Sequence, residues 1–313
     1  MSARRSPDAD SVVQAAEERR EQARLQFEAA CAELRSSEGW RRFAKSRALL
    51  RGYSLTNTML ILAQRPDATT VASYRRWSEL GRQVRRGERA MRIWAPSVRR
   101  ERDEETGEET ASVRRFVLVP VFDIAQTDGP PLPEPPPAIP LSGDSHAALL
   151  TCLEAEASRA GYTVKRQVEI PGHAEGFVDH RAARVVVSAA LEPNGQVAVL
   201  VHELAHVHGA RYREFGRAGA EVVAETAAFV ALSAAGLDTR RQSIPYVSGW
   251  ADAAPKELAA YADAVHRIAG RLEAALGLEL EPQSRTLPSH PGEARDLARG
   301  RDRGERRPIA RGR

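Results

Sequence analysis

The segment from His202 to His206 constrains this chain more than any other stretch, because it places two histidines four residues apart within an almost wholly apolar run. Four residues make about one turn of an α-helix, so both imidazole rings would lie on one face and reach a common ion. Glu203 lies between them, where its carboxylate can accept a proton from a water molecule at that ion. The pattern predicts a buried helix that carries a zinc site.

The residues around this pentapeptide favour the same interpretation. Pro193 and Gly195 precede the apolar run and Gly209 follows it, which is typical punctuation at the two ends of a helix. The alternative is an ordinary core helix with two hydrogen-bonded histidines. Burying two imidazoles and a carboxylate without compensation would cost free energy, and this cost favours a metal site.

A second apolar helix offers carboxylates for the predicted ion. Glu221 and Glu225 lie four residues apart and share a face, with valine, alanine and phenylalanine as neighbours. We expect Glu221 to bind the metal and Glu225 to hold the other ring N–H of a histidine, and the reverse assignment is also open. His208 is a rival ligand, but it lies two residues from His206 and would point away from the shared face.

Three protein ligands leave a fourth position for water, as in catalytic zinc sites. The implied chemistry is hydrolysis of an amide, in which Glu203 passes a proton to the leaving amine. Upstream, residues 184–188 are predicted to form a β-branched strand, and residues 176–179 the strand before it. The strand at 184–188 resembles the edge strand with which zincins hold an extended peptide substrate.

The first third of the chain concentrates positive charge. Between Arg35 and Arg100 there are 16 lysines and arginines against four acidic residues, whereas the whole chain has a net charge of +4. Such a concentration is typical of a site that binds a polyanion. Six aromatic residues are interleaved with these cations: Trp40, Phe43, Tyr53, Tyr74, Trp77 and Trp94. Aromatic planes beside cations suit single-stranded nucleic acid, although a small aromatic core within a solvated basic shell has the same composition.

A small sheet is the predicted DNA-binding surface. Residues 81–88 and 90–96 are predicted as two strands joined by a glycine turn, with residues 116–122 as the partner of the second. Alternation along residues 91–95 would turn Arg92 and Trp94 away from the core. The predicted DNA-contacting residues are Arg51, Tyr53, Asn57, Trp77, Arg82, Arg85, Arg86, Arg89, Arg92 and Trp94. A mostly electrostatic site of this kind would bind without strong sequence preference and weaken with salt.

Four blocks in this region resemble the N-terminal domain of ArdC-type antirestriction proteins. They are residues 53–57 (YSLTN), 60–66 (LILAQRP), 77–89 (WSELGRQVRRGER) and 121–127 (VFDIAQT). The resemblance covers roughly residues 12–130 and 145–278. It implies a domain that binds single-stranded DNA followed by a zincin-like metallopeptidase domain of the ImmA/IrrE sort. It also implies a mobile-element protein that shields incoming DNA in a recipient cell.

The expected fold class is α+β, with a small N-terminal domain of helices and an antiparallel sheet linked to a mostly helical zincin-like domain with a short sheet. Five segments are expected: an exposed helix at 1–35, the ArdC-like domain at 36–127, a proline-rich linker at 128–143, the zincin-like domain at 144–280 and a disordered basic tail at 281–313. The two cysteines predict no disulfide framework. With neither a secretory signal nor a membrane-spanning run in the sequence, we expect a cytoplasmic protein that binds no membrane.

Three functions follow from these observations. The first is a metallopeptidase with one Zn²⁺ ion, which single-stranded DNA brings to an unidentified protein or peptide substrate. The second is a non-enzymatic protein that protects single-stranded DNA and has a structural zincin domain. The third is a regulatory protease of the ImmA/IrrE sort that cleaves a repressor. The presence of Glu203 favours the first and third, because a structural zinc site has no use for that carboxylate.

Overall fold

The computed structural model describes residues 9–102, 109–132, 139–170, 174–239 and 254–278. The helices are α1 (Ala9–Glu33), α2 (Ser37–Leu49), α3 (Leu55–Gln64), α4 (Tyr74–Glu79), α5 (Ala148–Arg159), α6 (Pro193–Val207), α7 (Tyr212–Ala234) and α8 (Pro255–Ala275). The strands are β1 (Val71–Ala72), β2 (Gln83–Val84), β3 (Met91–Arg102), β4 (Glu109–Asp123), β5 (Thr127–Asp128), β6 (Thr163–Gln167), β7 (Gly176–Asp179) and β8 (Arg184–Ser188). A single 3-10 turn, Ile124–Gln126, joins β4 to β5. This mixture of helices and small sheets confirms the predicted α+β class.

Local sequence accounts for the ends of the helices near the two predicted sites. Ser54 caps α3, because its hydroxyl accepts a hydrogen bond from the backbone N–H of Asn57 at 3.3 Å. Pro193 begins α6, where its missing N–H leaves no donor unpaired. Gly209 follows that helix with a φ of 137°, a backbone angle that side chains with a Cβ avoid. Helix α7 breaks at Gly216, which has a φ of 65° and a ψ of 171°, so its first turn is angled away from the rest.

The larger hydrophobic core joins helices from both ends of the described chain. Trp40 and Phe43 of α2 are buried in the same cluster as residues of α6, α7 and α8. The indole Nε1 of Trp40 donates to the hydroxyl of Thr226 on α7 at 3.0 Å. One face of α1 also enters this core through Phe27, Ala30 and Cys31, which recur at helical spacing, and Leu34 directly after the helix continues it. The helix that was expected to be exposed is therefore amphipathic.

A smaller core lies beneath β3 and β4, which pair in antiparallel register from Met91 opposite Val121 onward. Met91, Ile93 and Ala95 are buried, whereas Arg92 is exposed and Trp94 half-buried, so the predicted pairing and alternation are both confirmed. The strand predicted over residues 81–88 is shorter than expected. Only β2 forms there, and its partner is β5, because glycines with positive φ lie at 81 and 87.

The second sheet has the order β6-β8-β7, with β6 parallel and β7 antiparallel to β8. The two strands predicted at 176–179 and 184–188 are confirmed. The prediction that residues 184–188 form the edge strand is wrong, because β8 is paired on both sides and is buried from Val185 to Ser188. Strand β7 is the edge strand of this antiparallel pair.

Several predictions concern residues that the structure does not describe. The predicted basic tail at 281–313 and residues 133–138 of the predicted linker lie outside the described residues. Directly after that gap, Ile139 forms a parallel bridge with Leu237 at the end of α7. Among the described helices, none combines the length and the apolar character that crossing a membrane requires.

Candidate metal centre and nucleic-acid surface

Three of the predicted ligands converge on one point between α6 and α7. The Nε2 atoms of His202 and His206 lie 3.2 Å apart. The Oε2 atom of Glu221 lies 3.5 Å from Nε2 of His202 and 3.6 Å from Nε2 of His206. These side chains form a group of described residues that could hold a metal ion.

The separations fit a tetrahedral ion. Zinc bonds to nitrogen and carboxylate oxygen are about 2.0–2.2 Å long, and tetrahedral geometry then separates the ligand atoms by roughly 3.3–3.6 Å. The three observed separations, 3.2, 3.5 and 3.6 Å, agree with this range. Two imidazole nitrogens and a carboxylate at such distances repel one another unless a cation or a proton lies among them. The donor set therefore suits a divalent metal ion.

The other ring nitrogens are held so that both Nε2 atoms face the common point. Nδ1 of His206 lies 2.7 Å from the carbonyl oxygen of Ala210, which can only accept, so this nitrogen carries the hydrogen. Nδ1 of His202 lies 3.5 Å from Oε1 of Glu225. Each histidine thus has an acceptor behind it, an arrangement that orients metal-binding imidazoles. Glu221 lies on the Nε2 side and Glu225 on the Nδ1 side, as the first of the two open assignments requires.

Burial and neighbouring charges shift the pKa values in this cluster. Burial raises the pKa of Glu203, and this effect outweighs the opposing pull of His202 and His206. Hydrogen bonds from those two histidines, followed by one from Tyr212, hold the pKa of Glu221 far below its usual range. Burial alone would lower the pKa of His202, but the surrounding carboxylates raise it overall. Glu203 is therefore the more basic carboxylate of the centre.

Glu203 lies under the edge strand β7. Its side chain is 8% exposed, and it accepts no hydrogen bond from the residues that the structure describes. Gly176 makes the close approach of β7 possible, because a Cβ at that position would lie 2.5 Å from Cγ1 of Val199 and 3.4 Å from Cγ of Glu203. The free carboxylate and the backbone of an edge strand are thus neighbours.

His208 does not join the metal-binding group. Its Nε2 lies 3.1 Å from Oε1 of Glu156 on α5, and its side chain is 3% exposed. Glu156 and His208 line a cavity of about 320 Å³ together with Arg159 and Arg271. The rival ligand therefore turns toward α5, away from His202 and His206.

Four of the predicted DNA-contacting residues are inside the protein, and their assignment is corrected here. Tyr53, Asn57, Trp77 and Arg82 are each less than 9% exposed. The Tyr53 hydroxyl donates to the carbonyl of Val71 at 2.7 Å, and Trp77 Nε1 donates to the carbonyl of Phe122 at 2.9 Å. Because their rings are buried and their polar atoms bind the backbone, these side chains stabilise the fold and offer no stacking surface.

Asn57 and Arg82 bind the backbone in the same way. The amide of Asn57 accepts from the N–H of Trp94 and donates to its carbonyl, both at 2.8 Å. Gln64, two turns later on α3, does the same for Arg92. The guanidinium of Arg82 donates to Thr127, Gly129 and Pro130. Helix α3 therefore covers one edge of β3, and Arg82 anchors the segment that follows β4.

The remaining predicted residues are more accessible. Arg86, Arg89 and Arg92 are exposed and make no ion pair with the described residues, and Trp94 is half-buried. Arg85 is exposed but bonds to Glu88 and Asp128. Arg51 is half-buried, and its buried Nη1 has no hydrogen-bond partner in the described part of the chain.

Residues 10–122 match the family described as the N-terminal domain of anti-restriction factor ArdC. The match assigns an ArdC-type N-terminal domain to these residues. The chain is similar to an uncharacterized protein of Bacillus anthracis, with 25% identity over 255 residues that cover 69% of this chain and 43% of the relative. The chain thus spans less than half the length of that curated relative.

Two solved structures of the antirestriction ArdC protein from plasmid R388 are also similar. The metal-free structure has 19% sequence identity and a TM-score of 0.47, and the match covers 84% of this chain and 98% of that one. The Mn(II)-bound structure has 17% identity and a TM-score of 0.39, with coverage of 75% and 90%.

The structure shows two accessible aromatic residues that sequence reasoning missed. Tyr212 donates from its hydroxyl to Oε1 of Glu221 at 2.6 Å, and its ring lies 5.7 Å from that of His206. No sequence pattern indicates this contact, because it depends on the break at Gly216. Phe116 is 58% exposed on β4. The predicted pairing of residues 116–122 with 90–96 could have found Phe116, because paired residues of an antiparallel ribbon share a face and Phe116 then lies on the face of Trp94.

Proposed function

We propose that this protein binds single-stranded DNA through its ArdC-type N-terminal domain and carries a zinc-dependent hydrolytic centre of the metallopeptidase type. Its substrate would be an amide bond in a protein or peptide, and its biological role would be antirestriction. The observation that carries the proposal is the convergence of His202, His206 and Glu221 next to the buried Glu203, which accepts no hydrogen bond from the described residues.

The chemistry divides among these residues. A bound zinc ion would supply a more acidic water molecule and polarise the substrate carbonyl. His202 and His206 would hold that ion through Nε2, and Glu221 through Oε2. The carboxylate of Glu203 would accept a proton and return it to the leaving amine. Its raised pKa suits this task, because a general base works best when its pKa approaches the working pH.

Strand β7 is the proposed substrate-binding edge. It pairs with β8 on one side, and in the described residues no strand pairs with its other side. An extended peptide can add to such an edge through backbone hydrogen bonds. The close packing of Gly176 against α6 would bring that peptide near Glu203. The role of substrate-binding edge strand, which the sequence predicted for residues 184–188, thus passes to β7.

The family match and the charge distribution support the proposed binding of DNA. The matched residues, 10–122, include the segment with 16 basic and four acidic residues. Exposed arginines remain on this segment after the buried and paired ones are set aside, among them Arg86, Arg89 and Arg92. Cations that face solvent in one region favour a phosphate backbone as the ligand.

The proposal is tested with the full chain and three variants. We expect the purified wild-type protein to contain one zinc ion by elemental analysis and to cleave members of a peptide library, as detected by mass spectrometry. Glu203→Gln should retain zinc and DNA binding and lower the cleavage rate at least about 100-fold. His206→Ala should lose the zinc as well.

Glu214→Gln is the matched control, because Glu214 is an exposed carboxylate on the same helix as Glu221. This variant should behave like the wild type in all three measurements. Cleavage that survives in Glu203→Gln would contradict the assigned role of Glu203. A protein that takes up no divalent metal after gentle purification would contradict the metal centre itself.

A further inference from the structure

The outward face of the β3–β4 ribbon carries a row of aromatic and other apolar side chains. Since Met91, Ile93 and Ala95 point into the small core, Arg92, Trp94 and Pro96 lie on the opposite face. Their antiparallel partners on β4 are Pro120, Leu118 and Phe116, which share that face. We name these six residues the ribbon platform: Arg92, Trp94, Pro96, Phe116, Leu118 and Pro120.

The platform is open to solvent to a degree that is unusual for apolar residues. Phe116 is 58% exposed, and the other apolar members are half-buried. Trp94 lies opposite Leu118, so Phe116 is its diagonal neighbour across the ribbon. Diagonal neighbours lie about 7–8 Å apart, close enough for two rings to act on one ligand. Large exposed apolar patches of this kind indicate a binding surface.

Exposed arginines lie within and beside the platform. Arg92 belongs to it and Arg89 precedes β3, whereas Arg115 lies on the other face of the ribbon, because side chains alternate along β4. All three are exposed, and in the described part of the chain none of them forms an ion pair. Other arginines of this region, such as Arg75 and Arg85, are bound to nearby carboxylates. Arg92 is therefore an exposed cation beside the aromatic rings that makes no ion pair with the described residues.

The adjoining edge of β3 is closed, which bears on the kind of partner. Asn57 and Gln64 of α3 occupy the backbone N–H and carbonyl groups of Trp94 and Arg92. A peptide strand cannot add at those positions, because the hydrogen bonds it needs are already made. At Arg92 and Trp94 the platform therefore offers a ring face and a guanidinium group, while the backbone there is already hydrogen-bonded.

We propose that the ribbon platform stacks unpaired bases of single-stranded DNA, with Trp94 and Phe116 as the stacking rings and Arg92 as a phosphate contact. This inference rests on the proposed binding of DNA and identifies the surface responsible. Aromatic planes stack on any unpaired base, while flanking cations neutralise the backbone. In duplex DNA the base faces are already stacked, so the platform discriminates in favour of single strands.

The test is fluorescence anisotropy of the full chain with a labelled oligothymidine and with a duplex of the same length, across a salt series. Phe116→Ala should weaken single-strand binding about 5- to 100-fold, and Phe116→Tyr should bind like the wild type. Arg92→Ala should reduce the slope of log K against log salt by about 0.7, as loss of one phosphate contact predicts. Leu49→Ala is the matched control, because Leu49 is 57% exposed on α2.

The outcomes separate this inference from the proposed function. If the wild type prefers single strands and Phe116→Ala binds them equally well, the platform is overturned and the binding of DNA stands. If the wild type binds single strands no better than the duplex, the platform fails and DNA binding stands, whereas a wild type that binds neither form overturns both. Selective loss in Phe116→Ala, with rescue in Phe116→Tyr and no change in Leu49→Ala, supports the platform.

Discussion

Polar groups are arranged differently in the candidate metal centre and in the ArdC-type N-terminal domain. In the candidate metal centre, His202, His206 and Glu221 direct their polar atoms toward one another. In the N-terminal domain, buried Tyr53, Asn57, Trp77 and Arg82 bind backbone groups or a nearby hydroxyl. Polar atoms that point at one another can bind an ion placed among them. Polar atoms that are hydrogen-bonded to the backbone are already used within the fold.

This difference explains why one site was easier to predict. Two histidines and a glutamate in an apolar helix have few uses other than a common ligand, because their desolvation must be compensated. Tryptophan, tyrosine and arginine are as useful in a core as on a DNA surface, since each has an apolar body and a polar end. A segment in which cations and aromatic residues alternate therefore does not reveal which of these side chains face solvent.

The buried ion pair between Arg47 and Glu273 is a third case, in which two charged side chains bind each other. Breaking it should cause the largest loss of stability among the variants compared below. Arg47 on α2 donates to both carboxylate oxygens of Glu273 on α8, at 3.2 and 2.9 Å, and both side chains are at most 1% exposed. We expect Arg47→Met to lower the free energy of unfolding by about 3–5 kcal/mol, because Glu273 would remain buried without a partner. Denaturant unfolding measures this loss.

Two further variants make that test specific. Arg47→Met combined with Glu273→Leu should recover most of the lost stability, since no lone charge remains. Arg42→Met removes an exposed pair with Glu38 and should cost at most about 1 kcal/mol. If Arg47→Met instead abolished zinc or DNA binding without lowering the free energy of unfolding, the ion pair between Arg47 and Glu273 would have a functional role and not a structural one.

His266 provides a pH-dependent test of the same buried group. Burial, and then the charge of Arg47, lower its pKa to about 4, and Arg47 Nε donates to its Nδ1 at 2.9 Å. Asp263 opposes the shift. Between pH 6.5 and 4 the unfolded chain binds a proton that the folded chain excludes, so stability falls as the pH falls. The loss should reach about 3 kcal/mol at pH 4.

His266→Gln keeps an acceptor for Arg47 but cannot titrate. Unfolding free energies of the wild type and this variant, measured with chelator from pH 7 to 4, should diverge only below about pH 6.5. The chelator keeps metal binding out of the comparison. Parallel curves for the two proteins would show that His266 titrates normally in the folded state.

Much of the fold follows from periodicity. Apolar residues recur at the spacing of a strand along residues 91–95 and at the spacing of a helix around His202 and Glu221. The β-branched run at 184–188 likewise indicated a strand. Which strand lies at the edge was not predictable, because β6 pairs with β8 through a parallel contact between residues distant in sequence. The contact of Tyr212 with Glu221 likewise depends on one glycine break.

Tyr53 tests whether the buried polar residues of the N-terminal domain serve only the fold, and its substitution should cause the smallest change in stability. Tyr53→Phe removes only the hydroxyl that donates to Val71, so the free energy of unfolding should fall by about 1 kcal/mol. Affinity for single-stranded DNA should stay unchanged, because the ring is 4% exposed and lies in the small core. Denaturant unfolding and anisotropy on the same sample measure both quantities. Weaker DNA binding at unaltered stability would return Tyr53 to the DNA surface, and burial would then be a poor guide to function in this domain.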